Sequence, residues 1–153
     1  MDIKHINAFI TGLVEVSGLL GIRGLTRSGL DKKANLKTQN DINIIIGLAG
    51  DIRGNIVLSM QEKAAINIAS KMMGGMPVKE FDLMPKSALC ELGNMVSGRS
   101  ASELEKIGVR TYITPPTLIH GCNMISLISQ VETLVIQFTT EEGRLELNIA
   151  TEN

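Results

Sequence analysis

The run Ser87-Ala88-Leu89-Cys90-Glu91-Leu92-Gly93-Asn94-Met95-Val96-Ser97-Gly98 lies inside the longest helical signal of the chain, from about Pro85 to Ile107. Pro85 suits a first helical turn, where a missing N–H costs little, and Gly108 closes the pattern. At 3.6 residues per turn, Leu89, Leu92, Val96 and Ile107 share one side, with Leu104 at its edge, and form a core stripe. The opposite side carries Ser87, Glu91, Asn94, Gly98, Ser102 and Glu105; Glu103 falls near the core side and fits the wheel poorly. Glu91 and Asn94 are three positions apart and therefore neighbours. Two glycines interrupt the helix, each costing about 1 kcal/mol relative to Ala. Gly93 points to the core, where its size lets another element approach. Gly98 points outward, where core packing does not explain it but a docking surface does. Exposed Glu and Asn are ordinarily solvated surface, so the wheel alone assigns them no role.

Working outward, Pro115-Pro116 forbids further helix and forces an extended or turned segment. Thr117 to Ser129, Leu134 to Phe138 and the alternating Leu145, Leu147, Ile149 read as strands, with Glu141-Glu142-Gly143 as the last turn. Before the long helix, a second one is expected from about Glu62 to Met73, stopped by Gly74-Gly75 and Pro77. Upstream, Ile42, Ile44, Ile46 and Leu48 form one strongly apolar strand face, and Ile56, Leu58 and Met60 continue it across a Gly50–Gly54 hairpin. Residues from about 3 to 20 place Ile3, Ile6, Ile10, Leu13, Val14 and Leu20 at helical spacing. Thr26 to Gln39 is polar and loop-like. The expected fold class is α+β, with helices packed on a largely antiparallel sheet. With 153 residues and no dividing linker, a single domain over 1–153 is expected.

Charge and composition exclude several classes. Lys and Arg (15) nearly balance Asp and Glu (16), so no basic excess points to nucleic acid or an anionic membrane. Three Phe, one Tyr and no Trp leave little for base stacking. Cys90 and Cys122 lack metal or redox spacing and read as buried free thiols of a reducing compartment. His5 and His120 are isolated, so no metal site is expected. No phosphate-binding Gly-x-x-x-x-Gly-Lys-Ser/Thr loop occurs. Neither a leader pattern nor a bilayer-length apolar run is present, and a cytoplasmic location is expected.

Ser87-x-x-x-Glu91-x-x-Asn94, followed about twenty residues later by Pro115-Pro116, resembles the signature of the CheC/CheX/FliY family of bacterial chemotaxis phosphatases. Three phrases in order carry the resemblance: Met72-Met73-Gly74-Gly75-Met76, Glu91-Leu92-Gly93-Asn94-Met95 and Ile113-Thr114-Pro115-Pro116-Thr117. The resemblance implies a CheC-like fold with an internal pseudo-repeat. Thr11-x-x-x-Glu15-x-x-Gly18 on the first helix is then in register with Ser87, Glu91 and Asn94, with Gly18 in place of the amide, which favours one site rather than two. It also implies hydrolysis of the aspartyl-phosphate of a phosphorylated CheY-like receiver domain. Asn94 would orient the attacking water and Glu91 would anchor the regulator, with Ser87, Gly98 and Ser102 on the partner-binding face. No cofactor of its own is expected, magnesium being expected in the partner regulator, and the resemblance implies a homodimer formed through the sheets, with the C-terminal strands as the expected edge. The alternative is a non-catalytic regulator-binding module related to the middle domains of flagellar switch proteins.

Overall fold

The computed structural model describes residues 1–121 and 126–152. Helix α1 (Ile3–Leu19) starts at Asp2, whose carboxylate accepts the Lys4 N–H at 2.9 Å. Strands β1 (Thr26–Lys33), β2 (Leu36–Thr38), β3 (Ile42–Gly50) and β4 (Arg53–Met60) follow, then α2 (Glu62–Met72) and α3 (Leu83–Lys106). Strands β5 (Thr111–Ile113), β6 (Thr117–His120), β7 (Ser126–Ser129), β8 (Thr133–Thr140) and β9 (Gly143–Glu152) complete the described order.

The main sheet is antiparallel, in the order β1-β8-β9-β4-β3-β5, with β6 also on β3. Its period-two alternation sends Ile42, Ile44, Ile46, Ile56, Leu58, Met60, Leu145, Leu147 and Ile149 into one buried core with the helices. That core is the apolar face read from the sequence. Gly47 accepts two claims near the Pro115-Pro116 break, its N–H donating to Thr114 Oγ1 at 2.8 Å and its carbonyl accepting the Thr114 N–H. The break thereby splits the outer partner of β3 into β5 and β6.

The order shows the pseudo-repeat directly. Each half supplies a long helix, an edge strand and a hairpin: α1, β1 and β3–β4, then α3, β5/β6 and β8–β9. Each edge strand pairs with the other half's hairpin, β1 with β8 and β5/β6 with β3, while β4 and β9 join the hairpins at the centre.

Three expectations need correction. Residues 26–39 are not a loop: β1 pairs with β8, and β2 pairs with β7 in a small second sheet. This segment covers the back of the main sheet, where Leu36, Val57 and Ala150 are buried with Ile45, Ile128 and Val131 against them. The polar residues of β1 are exposed, but Thr38 at the end of β2 is buried in a polar cluster with Asn40, Asn43 and Ser59. Ser59 Oγ accepts from Asn40 Nδ2 at 2.9 Å, lies 2.8 Å from Thr38 Oγ1, and donates to Asn43 Oδ1 at 2.8 Å. The second correction concerns α1, where Ile3 and Val14 are exposed and Ala8, Phe9, Gly12, Leu13, Val16 and Ser17 are buried. Its inward face is rotated because it meets α3 as well as the sheet. A Cβ on Gly12 would stand 2.9 Å from the Val96 carbonyl. The third is Ile107, which caps α3 and is exposed, while Leu104 is fully buried. Cys122 and the middle of the Thr117–Ser129 segment lie outside the described residues.

Candidate active site

The face that carries Glu91 and Asn94 is set by what holds the other sides of α3. Asp82 caps the helix in extended conformation without a side-chain bond. Just before it, buried Phe81 meets the His120 ring edge-on at 5.2 Å, and His120 Nε2 lies 2.9 Å from Glu62 Oε1. The helix start is thereby pinned to β6 and to the first turn of α2. Leu89, Leu92, Val96 and Leu104 are fully buried, as the stripe predicted. Gly93 sits directly on the sheet: a Cβ there would stand 2.7 Å from Ile44 Cγ2 and 3.2 Å from Ile46 Cδ1, with Pro116 Cβ at 3.6 Å. Its small size is what lets α3 lie low over β3.

Next to this contact, Ser97 Oγ donates back to the Gly93 carbonyl at 2.8 Å, and Ser100 Oγ to that of Val96 at 2.7 Å. Both hydroxyls are buried and satisfied without needing water. Toward α1, Arg99 ion-pairs with Glu15 and reaches Glu103 at 3.3 Å, and Lys106 reaches Glu103 at 2.8 Å. Glu103, which fits the wheel poorly, is thus held within α3 by two cations. A hydrogen bond from Lys106, then the charges of Lys106 and Arg99, hold its carboxyl below the usual range.

What remains on the outside is the pair. Glu91, Asn94, Ser87 and Ser102 are exposed, Gly98 is half-exposed, and nothing lies within 4 Å of a Cβ built on Gly98. Among the described residues, neither the Glu91 carboxylate nor the Asn94 amide has a hydrogen-bonding or ionic partner. Ser87 is five residues into the helix as its bounds fall, so its hydroxyl is not a cap. Ser102 Oγ donates to the Gly98 carbonyl at 3.2 Å. Cys90, the neighbour of Glu91, has its thiol pushed up by burial, which is the wrong direction for a thiolate nucleophile. A depression of about 550 Å³ lies between α2 and the β8–β9 hairpin, and α3 does not line it. The pair thus stands on open helix surface, suited to a reacting group presented by another macromolecule.

On α1, the counterpart expected from the sequence is spent. Glu15 is bound to Arg99, and Gly18 faces open space without a side chain. Leu83 and Met84 escaped the sequence reading. They are 78% and 63% exposed at the start of α3, and Leu83 extends the face of Ser87 and Glu91 by one turn. The spacing carries the signal, since Leu83 stands four residues before Ser87, but Pro85 reads as the first helical turn whereas α3 begins two residues earlier.

Residues 42–139 match the family described as chemotaxis phosphatase CheX. The chain belongs to the CheX family. It is 33% identical over 152 residues to the CheY-P phosphatase CheX of Thermotoga maritima, covering 97% of both chains. Its structure resembles a CheX–CheY–BeF3–Mg²⁺ complex from Borrelia burgdorferi, with TM-score 0.83 and 28% identity over 97% of this chain and 98% of that one. A CheC-like superfamily protein from Shewanella sp. PV-4 superposes with TM-score 0.89 over the whole of both chains, at 22% identity, which speaks for the fold alone.

Proposed function

We propose that this chain, acting as one domain over 1–153, hydrolyses the aspartyl-phosphate of a CheY-type response regulator that docks on the outer face of α3. The carrying observation is the outward presentation of Asn94 one helical step from Glu91, both free of internal partners, on a CheX-family chain. The Thermotoga relative, which shares a third of its residues, is named a CheY-P phosphatase.

An acyl phosphate is already activated, so modest help suffices: a hundredfold acceleration needs only about 2.7 kcal/mol. Phosphoryl transfer through a loose transition state gains mainly from holding the nucleophile in line. The Asn94 amide oxygen accepts a hydrogen bond from the attacking water and brings no negative charge to the phosphoryl group. A carboxylate at that position would be repelled. Glu91 instead pairs with a cationic side chain of the regulator and fixes the register of α3. Ser87, Gly98 and Ser102 keep the surrounding backbone open to close approach. Magnesium, held by the regulator, neutralises phosphoryl oxygens there and needs no ligand from this chain. The same reading places the protein in the cytoplasm with its regulator. It includes pairing of two copies through the sheet; the C-terminal strands β8 and β9, expected to supply the edge, lie between β1 and β4, so the outer edge on offer is β1.

Phosphate release from a phosphorylated CheY-type receiver tests the proposal. Asn94→Ala should keep binding and lose about a hundredfold in kcat, while Glu91→Ala should also weaken binding. Wild-type turnover by Asn94→Ala would overturn the role given to the amide. Binding without turnover by the unaltered protein would make it a sequestering module.

A further inference from the structure

The outer face of α3 does not end at Ser87. Leu83, Ser87, Glu91, Asn94, Gly98 and Ser102 fall within about 100° of arc on the helix. Leu83 is 78% exposed and Met84 63%. Met76, in the α2–α3 connection, is 53% exposed, and with Met84 it lines a depression of about 430 Å³. Met73, Pro77, Val78 and Pro85 form the rest of its apolar wall, while Lys79, Glu80 and Asp82 stand at it as polar residues. Isolated exposed apolar side chains need no explanation, but several around one concavity with charges beside them have the composition of an interface centre.

We propose that Leu83, Met84 and Met76 form an apolar anchor for the same receiver domain, which seats an apolar side chain in the depression while its phosphoryl group meets Asn94. This rests on the phosphatase reading and specifies how the partner is held. Distance supports it: Leu83 to Asn94 spans eleven residues, about 16 Å of helix axis, within one standard footprint of roughly 800 Å² per partner. Continuity supports it too: Leu83 lies on the helix face of Glu91 and Asn94 with the small Ser87 between them, Met84 adjoins Leu83 at the edge of that face, and Met76 reaches the same depression as Met84 from the α2–α3 connection. Division of labour follows from the chemistry. Glu91 supplies a charge whose attraction weakens with salt, whereas Leu83, Met84 and Met76 supply apolar contact that does not.

The test is steady-state phosphate release by the full chain from a phosphorylated CheY-type receiver, at low and high salt. Leu83→Ser combined with Met84→Ser alters two exposed positions, so the fold should persist by circular dichroism. KM should rise about tenfold, kcat should stay within about twofold, and the KM defect should survive high salt. Glu91→Ala, by contrast, should show a KM defect that shrinks as salt rises. An unchanged KM in the double variant, or a change only in the protein's own self-association, would overturn the anchor while leaving the phosphatase reading intact. Failure of the unaltered protein to release phosphate from any phosphorylated receiver would instead sink the phosphatase reading. In that case a receiver Kd unchanged by the double variant would remove the anchor as well.

Discussion

At the scale of single residues, α3 is governed by side chains that are small. Gly93 places the helix backbone against Ile44 and Ile46, and Asn94 is the next residue, so the height of the amide above the sheet is fixed by a missing methyl group. Gly93→Val would force branched carbons into a gap already closed at 2.7 Å. Overpacking of this kind costs about 1–3 kcal/mol, and a urea midpoint lowered to match is expected, with phosphate release impaired as α3 is lifted. A variant as stable and active as the parent would mean that β3 gives way freely. The sequence placed Gly93 inward and Gly98 outward correctly, because a helical wheel needs only the period. It could not say that Ile44 and Ile46 were the neighbours, since that contact joins residues about fifty positions apart.

At the scale of elements, the polar segment between α1 and β3 holds the main surprise. Hydropathy treats Thr38 and Asn40 as solvent-seeking, yet Thr38 is buried, and both meet Ser59 of β4, which also donates to buried Asn43 of β3. A buried polar group with a partner loses little on leaving water, so composition does not reveal it. Leu36 is the segment's one fully buried apolar side chain and roofs Val57 and Ala150. Leu36→Ala should cost about 2–5 kcal/mol, read as a lowered urea midpoint. A loss of a few tenths would show that β2 and β7 add nothing to the sheet they cover. The β3–β4 hairpin and β9, by contrast, were legible because their alternation is strict and their turns carry glycine. The rotation of α1 was not, since a helix that packs on two neighbours buries a wider arc than a single stripe predicts.

At the scale of the whole molecule, the two halves exchange edge strands, and α1 is tied to α3 through Glu15, Arg99, Glu103 and Lys106. The Glu103 carboxyl is held below its usual range, so its stabilising effect is present above the unfolded carboxylate value and is lost as pH falls through the lowered folded value. Glu103→Gln should therefore narrow the difference in urea midpoint between neutral and acid pH. The group is solvated, so the change should be modest, and an identical pH profile in the variant would show the network to be energetically idle. The amino-acid sequence by itself determined the class of elements, the apolar faces of β3, β4 and β9, the core stripe of α3 and the outward side of Glu91 and Asn94. All of these follow from local periodicity, which the chain carries within a few turns or a few alternations. Tertiary structure alone decided that Glu15 is consumed by Arg99, that residues 26–38 complete both sheets, and that Leu83 and Met84 stand uncovered beside the pair. Each depends on which distant segment arrives at a given surface, and no spacing along the chain encodes that.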